Sequence, residues 1–535
     1  MTSSLLKTAL TALTLAIALG AGAQLPKDAC TSIMVGKKAS ADGSVMTSHT
    51  CDSWYRTWMQ SVPPKDYPRD TVMSVYEGRM HTEYAGSKDG MKEKGQIPQA
   101  RHTYRFLDTA YPCLNEKQLA IGETTYTGRD TMQNTKGMFM IEELARVALE
   151  RCSTAREAIT LMGQLIKQYG YGDSGECLTI ADPKEVWIFE VQGEGPDKIG
   201  GVWAAQRIPD DHIAVSANVS RIGKIDFKDK DNFMTSDNVK SVAKKMGLWD
   251  GKEEFSFWKA YSGGNYQKEP KNYSVRELFI MQQLAPSAGF NNSMEELPVS
   301  VKAEKPVSVE DVARLLGSYY EGTPLNLSGK LKVKNPRKKK TDGADVPDSI
   351  VSPVANPWMQ PDEIAVYNAL GDPTMKNIRT VSVPWCAYST IIQCRDWLPD
   401  GVGAVAWVAL DNPGQSPRFP IFAGTADLPA LLKVCGQHRT RDDAALWHYR
   451  KANKLATVRW GDARKTLEPA RDHFLKKGQI ELPAIEQEYA RLIKEGKNAE
   501  AEALLTDYTR DFFGATIIRW DELADKYWRD RWKGF

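Results

Sequence analysis

Residues Cys30–Ser53 read CTSIMVGKKASADGSVMTSHTCDS, and the fold prediction begins with them. Thr31–Gly36 and Ser44–Ser48 are short β-type runs. Asp42-Gly43 between them is a strong hairpin turn signal. The stretch therefore predicts two antiparallel strands that start at Cys30.

The register of this hairpin predicts which side chains lie near Cys30. With the turn centred near Asp42-Gly43, the position opposite Cys30 falls near residue 55. His49 and Asp52 are therefore expected at the same end of the hairpin as Cys30.

The residues before Cys30 have the three parts of a secretory signal. Lys7 supplies positive charge, Thr8–Leu19 is an apolar run with threonines, and Ala21-Gly22-Ala23 is a cleavage site with small residues. About 12 apolar residues are too few for a membrane span, which needs about 20. We predict a signal peptide over 1–23, a short pro-segment over 24–29, and an exported protein, periplasmic or extracellular, without a membrane span.

The chain after the first hairpin mixes antiparallel strands with helices. Strand patterns occur at Leu119–Thr125, Cys177–Ala181, Val186–Val191, Ile213–Ala217, Arg379–Ile392 and Val402–Leu410, and helical patterns at Ile141–Gln168, Asp237–Gly247 and Val275–Leu284. The strands and helices do not alternate as in a parallel sheet, so the pattern predicts an α+β fold.

Two further segments complete the predicted organisation. Residues 331–357 carry a basic run and four prolines, and we interpret them as a solvated loop inside a domain over 30–435. Residues 436–535 are charged and helical, and their apolar stripes indicate packing faces. This helical C-terminal region could cover a sheet edge, form a dimer contact or gate the site.

Composition and motifs exclude several classes of function. The 70 basic and 68 acidic residues give a net charge of +2, so no overall field attracts nucleic acid. The 7 histidines are scattered, and no HExxH or CxxC pattern occurs, so we predict no metal. No phosphate-binding glycine motif and no GxSxG elbow are present, so we predict no cofactor and no serine hydrolase of that type.

Cys30 is the remaining candidate nucleophile. A thiol needs a base or a lowered pKa to react. If the residues before Cys30 are removed, its own α-amino group, with an ordinary pKa of about 7.7 to 8.0, can act as that base. Position alone leaves a structural cysteine equally open.

A family resemblance favours the nucleophile. Cys30–Ala39 and Ala41–Ser44 resemble the mature N-terminus of the dipeptidase A family, which includes the secernins and belongs to the N-terminal-nucleophile hydrolases. Further matches follow in order at Asn115–Lys117, Leu119–Thr125, Ala181-Asp182, Glu185–Trp187, Ala217-Asn218, Tyr320–Thr323 and Val405–Trp407. The resemblance covers about residues 30 to 432.

This resemblance implies a four-layer αββα sandwich, here with a C-terminal helical extension. It also implies a cysteine dipeptidase in which Cys30 forms a thioester, after autocatalytic removal of residues 24–29. Asp52 would hold and polarise the α-amine. His49 stands where related acylases have an arginine, so a permanent charge is missing at that position.

The other implied site residues are less specific. Asn218 would donate to the oxyanion, or it is a turn residue. Thr124 or its backbone would be the second donor. Arg276 matches an acylase arginine, or it forms a surface salt bridge. Cys51 is interpreted as a small buried residue, and the seven cysteines other than Cys30 allow at most three disulfides.

The first hypothesis is thus an exported, self-processing cysteine dipeptidase whose partners are small peptides. An acylase for N-acyl amides of the bile-salt or penicillin type has the same fold and stays open, as does a non-catalytic secreted binding protein. The sequence also leaves a homo-oligomer open.

Overall fold

A computed structural model describes residues 29–264, 269–336, 346–370 and 375–532 of the chain. The predicted signal peptide and all of the predicted pro-segment except Ala29 lie outside the described residues, as do residues 337–345 of the basic loop. In chain order, the strands are β1 Ser32–Val35, β2 Val45–Cys51, β3 Gln60–Val62, β4 Lys65–Asp66, β5 Val72–Glu77, β6 Lys92–Pro98, β7 His102–Thr103, β8 Phe106–Asp108, β9 Leu114–Asn115, β10 Ala120–Thr127, β11 Gly175–Ala181, β12 Val186–Gly193, β13 Gly201–Ile208, β14 His212–Ser216, β15 Phe233–Thr235, β16 Ser300–Lys302, β17 Lys332–Lys334, β18 Ser349–Val351, β19 Tyr388–Cys394, β20 Ala404–Leu410 and β21 Phe419–Phe422.

The α-helices are α1 Ile141–Arg151, α2 Ala155–Tyr169, α3 Val239–Lys245, α4 Phe257–Tyr261, α5 Val275–Leu284, α6 Val309–Leu316, α7 Pro361–Leu370, α8 Asp400–Gly403, α9 Ala445–Thr457, α10 Trp460–Lys494 and α11 Asn498–Trp532. The predicted helical run at Ile141–Gln168 is two helices, as expected. Thr154 and Glu157 form a capping box that begins the second of them.

Two antiparallel sheets form the centre of the described chain. The first has the strand order β16-β14-β1-β2-β19-β20-β21, and the second has the order β15-β13-β12-β11-β10-β9-β8-β3. The predicted hairpin at Cys177–Val191 is present as β11 and β12, with Ala181 paired to Val186. These observations support the predicted α+β class.

The sheets contact each other through their central strands, because β2 lies against β10, β11 and β12, and β1 lies against β10. Alternate residues of β1 point to opposite faces of the first sheet and pack in two different hydrophobic cores. Met34 belongs to a core shared with the second sheet, whereas Ile33 and Val35 pack in a core with α5, α6 and α10. The start of β1 is therefore held from both faces.

The C-terminal helices cover one edge of the first sheet. Helices α10 and α11 contact the edge strand β21, and α9 contacts β20. Trp520 of α11 is fully buried and donates to Asn453 of α9. Of the roles considered for this region, the structure supports the covering of a sheet edge.

Part of the basic loop forms a small two-stranded ribbon. Strands β17 and β18 pair there, and Lys332 and Lys334 are exposed, as expected for a solvated segment. None of the described helices is both long enough and apolar enough to cross a membrane. All eight cysteines are buried, and none of them forms a disulfide among the described residues.

Candidate active site

Cys30 lies two residues before Ser32, the first residue of β1, which is a central strand between β14 and β2. Thr31 pairs with Thr50, and Val35 pairs with Met46, so the register places Cys51 opposite Cys30. The predicted position near residue 55 is wrong because the loop is wide and its centre precedes Asp42-Gly43. Asp42 closes this loop by accepting a hydrogen bond from the Ser44 backbone at 3.0 Å.

Asp52 follows β2 directly and is fully buried. Its Oδ2 accepts a hydrogen bond from Thr50 Oγ1 at 2.8 Å and pairs with the Arg379 guanidinium. Its Oδ1 has no hydrogen-bond partner among the described residues. One oxygen of the carboxylate is thus fixed, and the other is not satisfied by these protein groups.

Arg379 supplies the permanent positive charge that His49 does not provide. It is buried in the irregular segment before β19, and it donates to the Thr380 carbonyl at 2.6 Å. Its Nη2 also donates to the Ala29 carbonyl at 3.1 Å. Arg379 therefore links Asp52 to the peptide bond that precedes Cys30. Sequence reasoning missed this residue because no local motif marks it.

Asn218 lies two residues after the end of β14 and has a left-handed φ of 63°. Its Oδ1 accepts from the Cys30 backbone N at 2.8 Å and from Arg276 Nη2 at 2.8 Å. Its Nδ2 donates to the Thr125 carbonyl at 2.7 Å. Because a guanidinium has only donors, the atom that faces Arg276 must be the amide oxygen. Asn218 is thus both a turn residue and a site residue, but the atom that faces Cys30 is its acceptor Oδ1 and not its donor Nδ2.

Arg276 is 1% exposed, so the surface salt-bridge interpretation is wrong. Its Nη1 donates to the Cys30 carbonyl at 2.6 Å and to Thr31 Oγ1 at 2.9 Å. A capping box formed by Ser274 and Glu277 fixes the start of α5 at Val275, and Arg276 is therefore the second residue of this helix. Glu277 also accepts from the Ala217 backbone at 2.7 Å, which ties the helix to the end of β14.

His49 and Glu123 lie beside the thiol. Cys30 Sγ is 3.4 Å from Glu123 Oε2, and His49 Nε2 is 3.4 Å from the same oxygen. The His49 ring contacts Tyr111 and Tyr388 edge-on, with centroids 5.4 and 5.7 Å away. Neither ring nitrogen of His49 has a hydrogen-bond partner among the described residues. The prediction named His49 but not Glu123.

Thr124 was predicted to be the second oxyanion donor, through its side chain or its backbone. Its hydroxyl bonds to Ser216 Oγ at 2.6 Å, whereas the preceding residue, Glu123, contacts Cys30. Neighbouring residues of a strand point to opposite faces, so β10 cannot present both side chains to one atom. Strand β10 thus directs the side chain of Glu123, and not that of Thr124, at Cys30, and the oxyanion role of Thr124 or its backbone stays a prediction.

The surroundings keep the Cys30 thiol protonated in the uncleaved chain. Burial raises the pKa of this thiol well above its ordinary value, and the charges of Glu123, Cys51 and Asp52 raise it further. A backbone hydrogen bond at Asp52 opposes the rise. The thiol is also only 2% exposed. As an internal residue, Cys30 is a weak nucleophile.

Taken together, the contacts fix every group around the Ala29–Cys30 bond. Arg379 holds the carbonyl of that bond, Asn218 holds its nitrogen, and Arg276 holds the next carbonyl. Such geometry suits amide chemistry at Cys30. Donor atoms of Cys30, His49 and Glu123 also lie within 4.8 Å of one another, so these side chains could hold a metal ion.

Comparison with known proteins gives one family and several relatives. The model described as Peptidase family C69 matches residues 29–473. A Latilactobacillus sakei protein named "Probable dipeptidase" is 27% identical over 438 residues, which cover 78% of this chain and 79% of that protein. A "Probable dipeptidase" of Salmonella dublin is 27% identical over 74% of this chain and 81% of its own length. A "Probable dipeptidase A" of Streptococcus pyogenes serotype M3 is 23% identical over 86% and 89%.

Proposed function

The chain belongs to peptidase family C69, and from this premise we propose that it is a cysteine dipeptidase whose nucleophile is Cys30. The family match confirms the resemblance seen in the sequence and makes the protein a peptidase. The names of its relatives support dipeptides as substrates. The observation that carries the proposed mechanism is the Cys30 nitrogen, held at 2.8 Å by Asn218.

In this mechanism, removal of the residues before Cys30 converts that nitrogen into a free α-amine. With an ordinary pKa of about 7.7 to 8.0, the amine accepts the thiol proton near neutral pH. The thiolate attacks the substrate carbonyl, the peptide C–N bond breaks, and the leaving amine takes up the proton. Water then hydrolyses the thioester and restores the thiol.

The surrounding side chains support this division of roles. Arg276 fixes the Cys30 carbonyl, and Asn218 Oδ1 orients the nitrogen that becomes the amine. We assign to Asp52 Oδ1, which has no hydrogen-bond partner among the described residues, the role of holding the amine. Among the described residues, Asn218 Nδ2 donates only to the Thr125 carbonyl, so its second hydrogen serves as an oxyanion donor.

Maturation of the chain belongs to the same proposal. The signal peptide directs the protein out of the cytoplasm and is cleaved after Ala23, and autocatalytic loss of 24–29 then frees the α-amine of Cys30. Arg379 supports the second step, because its donation to the Ala29 carbonyl polarises the bond that must break. For the fold, we infer the four-layer αββα sandwich, since α1 contacts β8 and β9 of the second sheet, while α5 and α6 contact β14 and β19 of the first.

Intact mass and N-terminal sequencing of the purified protein test the proposal. We expect a chain that begins at Cys30 and hydrolyses dipeptides. A panel of dipeptides and N-acyl amino acids separates a dipeptidase from an acylase. A stable chain that begins at Gln24 and lacks activity on dipeptides would contradict the mechanism.

We predict that Cys30→Ala abolishes dipeptide hydrolysis and retains residues 24–29, because it removes the nucleophile of both reactions. Mass spectrometry and a ninhydrin assay measure the two effects. Cys152→Ala is the matched control, since it removes another buried thiol at the end of α1. The control should be processed and active, and normal turnover by Cys30→Ala would refute the role of Cys30.

A further inference from the structure

The thiol, imidazole and carboxylate beside Cys30 form a compact donor set. Sγ of Cys30, a ring nitrogen of His49 and an oxygen of Glu123 all lie within 4.8 Å of one another, and the three side chains are buried. Thiolate, imidazole and carboxylate are the three side-chain ligands that Zn²⁺ prefers, usually in tetrahedral sites. The set provides three of four such ligands.

His49 is an independent sign that this place binds a further group. Its side chain is fully buried, and neither ring nitrogen has a hydrogen-bond partner among the described residues. A buried polar atom without a partner has lost its hydrogen bonds to water and has gained none from the protein, which destabilises the fold. Edge contacts with Tyr111 and Tyr388 fix the ring at this place. The ring is thus positioned, and its Nε2 lies 3.4 Å from Glu123 Oε2 without forming a hydrogen bond to any described residue.

The fourth ligand comes from processing, so this inference rests on the proposed function. Removal of Ala29 and the residues before it leaves an amine on the Cα of Cys30. An α-amine and a β-thiolate of one cysteine close a five-membered chelate ring with a metal. Together with His49 and Glu123, they give two nitrogens, one sulfur and one oxygen.

We propose that the processed enzyme binds one Zn²⁺ through the Cys30 amine and thiolate, His49 and Glu123, and that this zinc blocks the peptidase. The thiol proton passes to solvent when the metal binds. Inhibition follows because the metal occupies the lone pair of the base and the sulfur of the nucleophile. Removal of the metal restores both groups, so the inhibition is reversible.

The test titrates metal-free processed enzyme with Zn²⁺ against a chromophoric chelator. We expect one equivalent to bind and dipeptide hydrolysis to fall with the same midpoint, and excess EDTA to restore the rate. Co²⁺ should give a thiolate-to-metal charge-transfer band in the near ultraviolet, which reports ligation by sulfur without reference to activity.

Three variants locate the site. His49→Ala and Glu123→Gln should each weaken zinc binding by at least about 10-fold. Cys152→Ala should leave affinity and the cobalt band unchanged. Far-UV circular dichroism checks that each variant is folded. If His49→Ala does not fold, Glu123→Gln alone tests the site, because it keeps the shape of the side chain.

The possible failures are distinguishable. An enzyme that begins at Cys30 and hydrolyses dipeptides, but binds no zinc or gives no cobalt charge-transfer band, would overturn the zinc site alone. Zinc affinity that is unchanged in Glu123→Gln, or in a folded Cys30→Ala protein, would also overturn it. A chain that is neither processed nor active would instead contradict the proposed function.

Discussion

Arg379 Nη2 contacts two oxygens of different chemistry, the carboxylate of Asp52 and the carbonyl of Ala29. The first contact neutralises a buried charge, and the second draws electrons from the bond before Cys30. Both partners are far away in sequence, so the arginine acts only after the chain has folded. The Arg379 side chain thus contributes both to the stability of the fold and, under the proposed mechanism, to the maturation of the chain.

Arg379→Ala should therefore accumulate uncleaved chain and lower the free energy of unfolding by about 3 to 5 kcal/mol, because Asp52 is left buried without its ion pair. Intact mass against time measures processing, and urea denaturation measures stability. Arg418→Met is a control, because Arg418 is equally buried but contacts Ser389 and the Trp407 carbonyl instead. Processing of the Ala variant at the wild-type rate would remove Arg379 from maturation.

Glu123 places a negative charge beside the Cys30 thiol. After burial, its carboxylate is the largest cause that raises the pKa of the thiol. Glu123→Gln removes a negative charge that favours the protonated thiol, so the thiol pKa should fall. The acidic limb of kcat/KM should consequently move to lower pH. Glu190→Gln is the matched control, and the same shift in that variant would contradict the direct effect of Glu123.

The sequence identified part of this residue-level arrangement. Cys30 and Asp52 could be predicted because a hairpin brings its two ends together whatever its exact register. Thr124 was named on β10 and Glu123 was not, because a motif indicates a strand but not the face to which each of its side chains points. Arg379 could not be found, since a buried arginine in an irregular segment has no pattern of its own.

At the level of elements, the second sheet and the segments packed on it contain several buried carboxyl groups. Burial raises the pKa of Asp173 to about 6 and that of Glu190 on β12 to about 7. Burial also raises the pKa of Glu142 on α1 and of Glu176 on β11. Glu143 differs: burial alone would raise its pKa, but Arg146 and Arg79 lower it to about 2.

This arrangement predicts that stability falls as pH rises from about 4 to about 7. In that interval the folded protein keeps protons that the unfolded chain has lost, so the free energy of unfolding decreases. Asp173 and Glu190 should each contribute about 3 kcal/mol at most. Urea denaturation at several pH values measures the slope. In Glu190→Gln, the free energy of unfolding should decrease less steeply with pH up to about pH 7. An increase of the wild-type free energy of unfolding between about pH 4 and 7 would contradict the prediction.

The elements themselves were largely predictable. Helix α5 has the predicted bounds, and the pair β11 and β12 follows the predicted turn. The hairpin register was wrong by four positions, because an Asp-Gly pair marks a turn without fixing the length of the loop around it. The strand predicted from Arg379 begins only at Tyr388. The carbonyls of Thr380 and Val381 accept hydrogen bonds from the Arg379 guanidinium and not from a neighbouring strand.

At the scale of the whole molecule, one hydrophobic core crosses the predicted boundary at residue 435. Met34 of β1 and Trp187 of β12 belong to the same buried cluster as Trp520 and Tyr527 of α11. The family match also continues to residue 473. The C-terminal helices are therefore packed as part of the body that holds the site.

This continuity predicts a single cooperative unfolding transition for the processed chain. Differential scanning calorimetry should give one peak, with near-UV and far-UV circular dichroism changing at the same temperature. Limited trypsin digestion should not yield a stable fragment that ends near residue 435. Two resolved transitions, or such a fragment, would show that 30–435 and 436–535 are separate domains.

The groups around the Ala29–Cys30 bond come from widely separated parts of the chain. Asn218, Arg276 and Arg379 reach it only once β14, α5 and the segment before β19 have been made and brought together. Under the proposed mechanism, a chain with an unfinished sheet cannot cut itself and so stays inert. The cut is then a quality check on folding: every active molecule has already passed it, and a misfolded copy is marked by the segment it still carries.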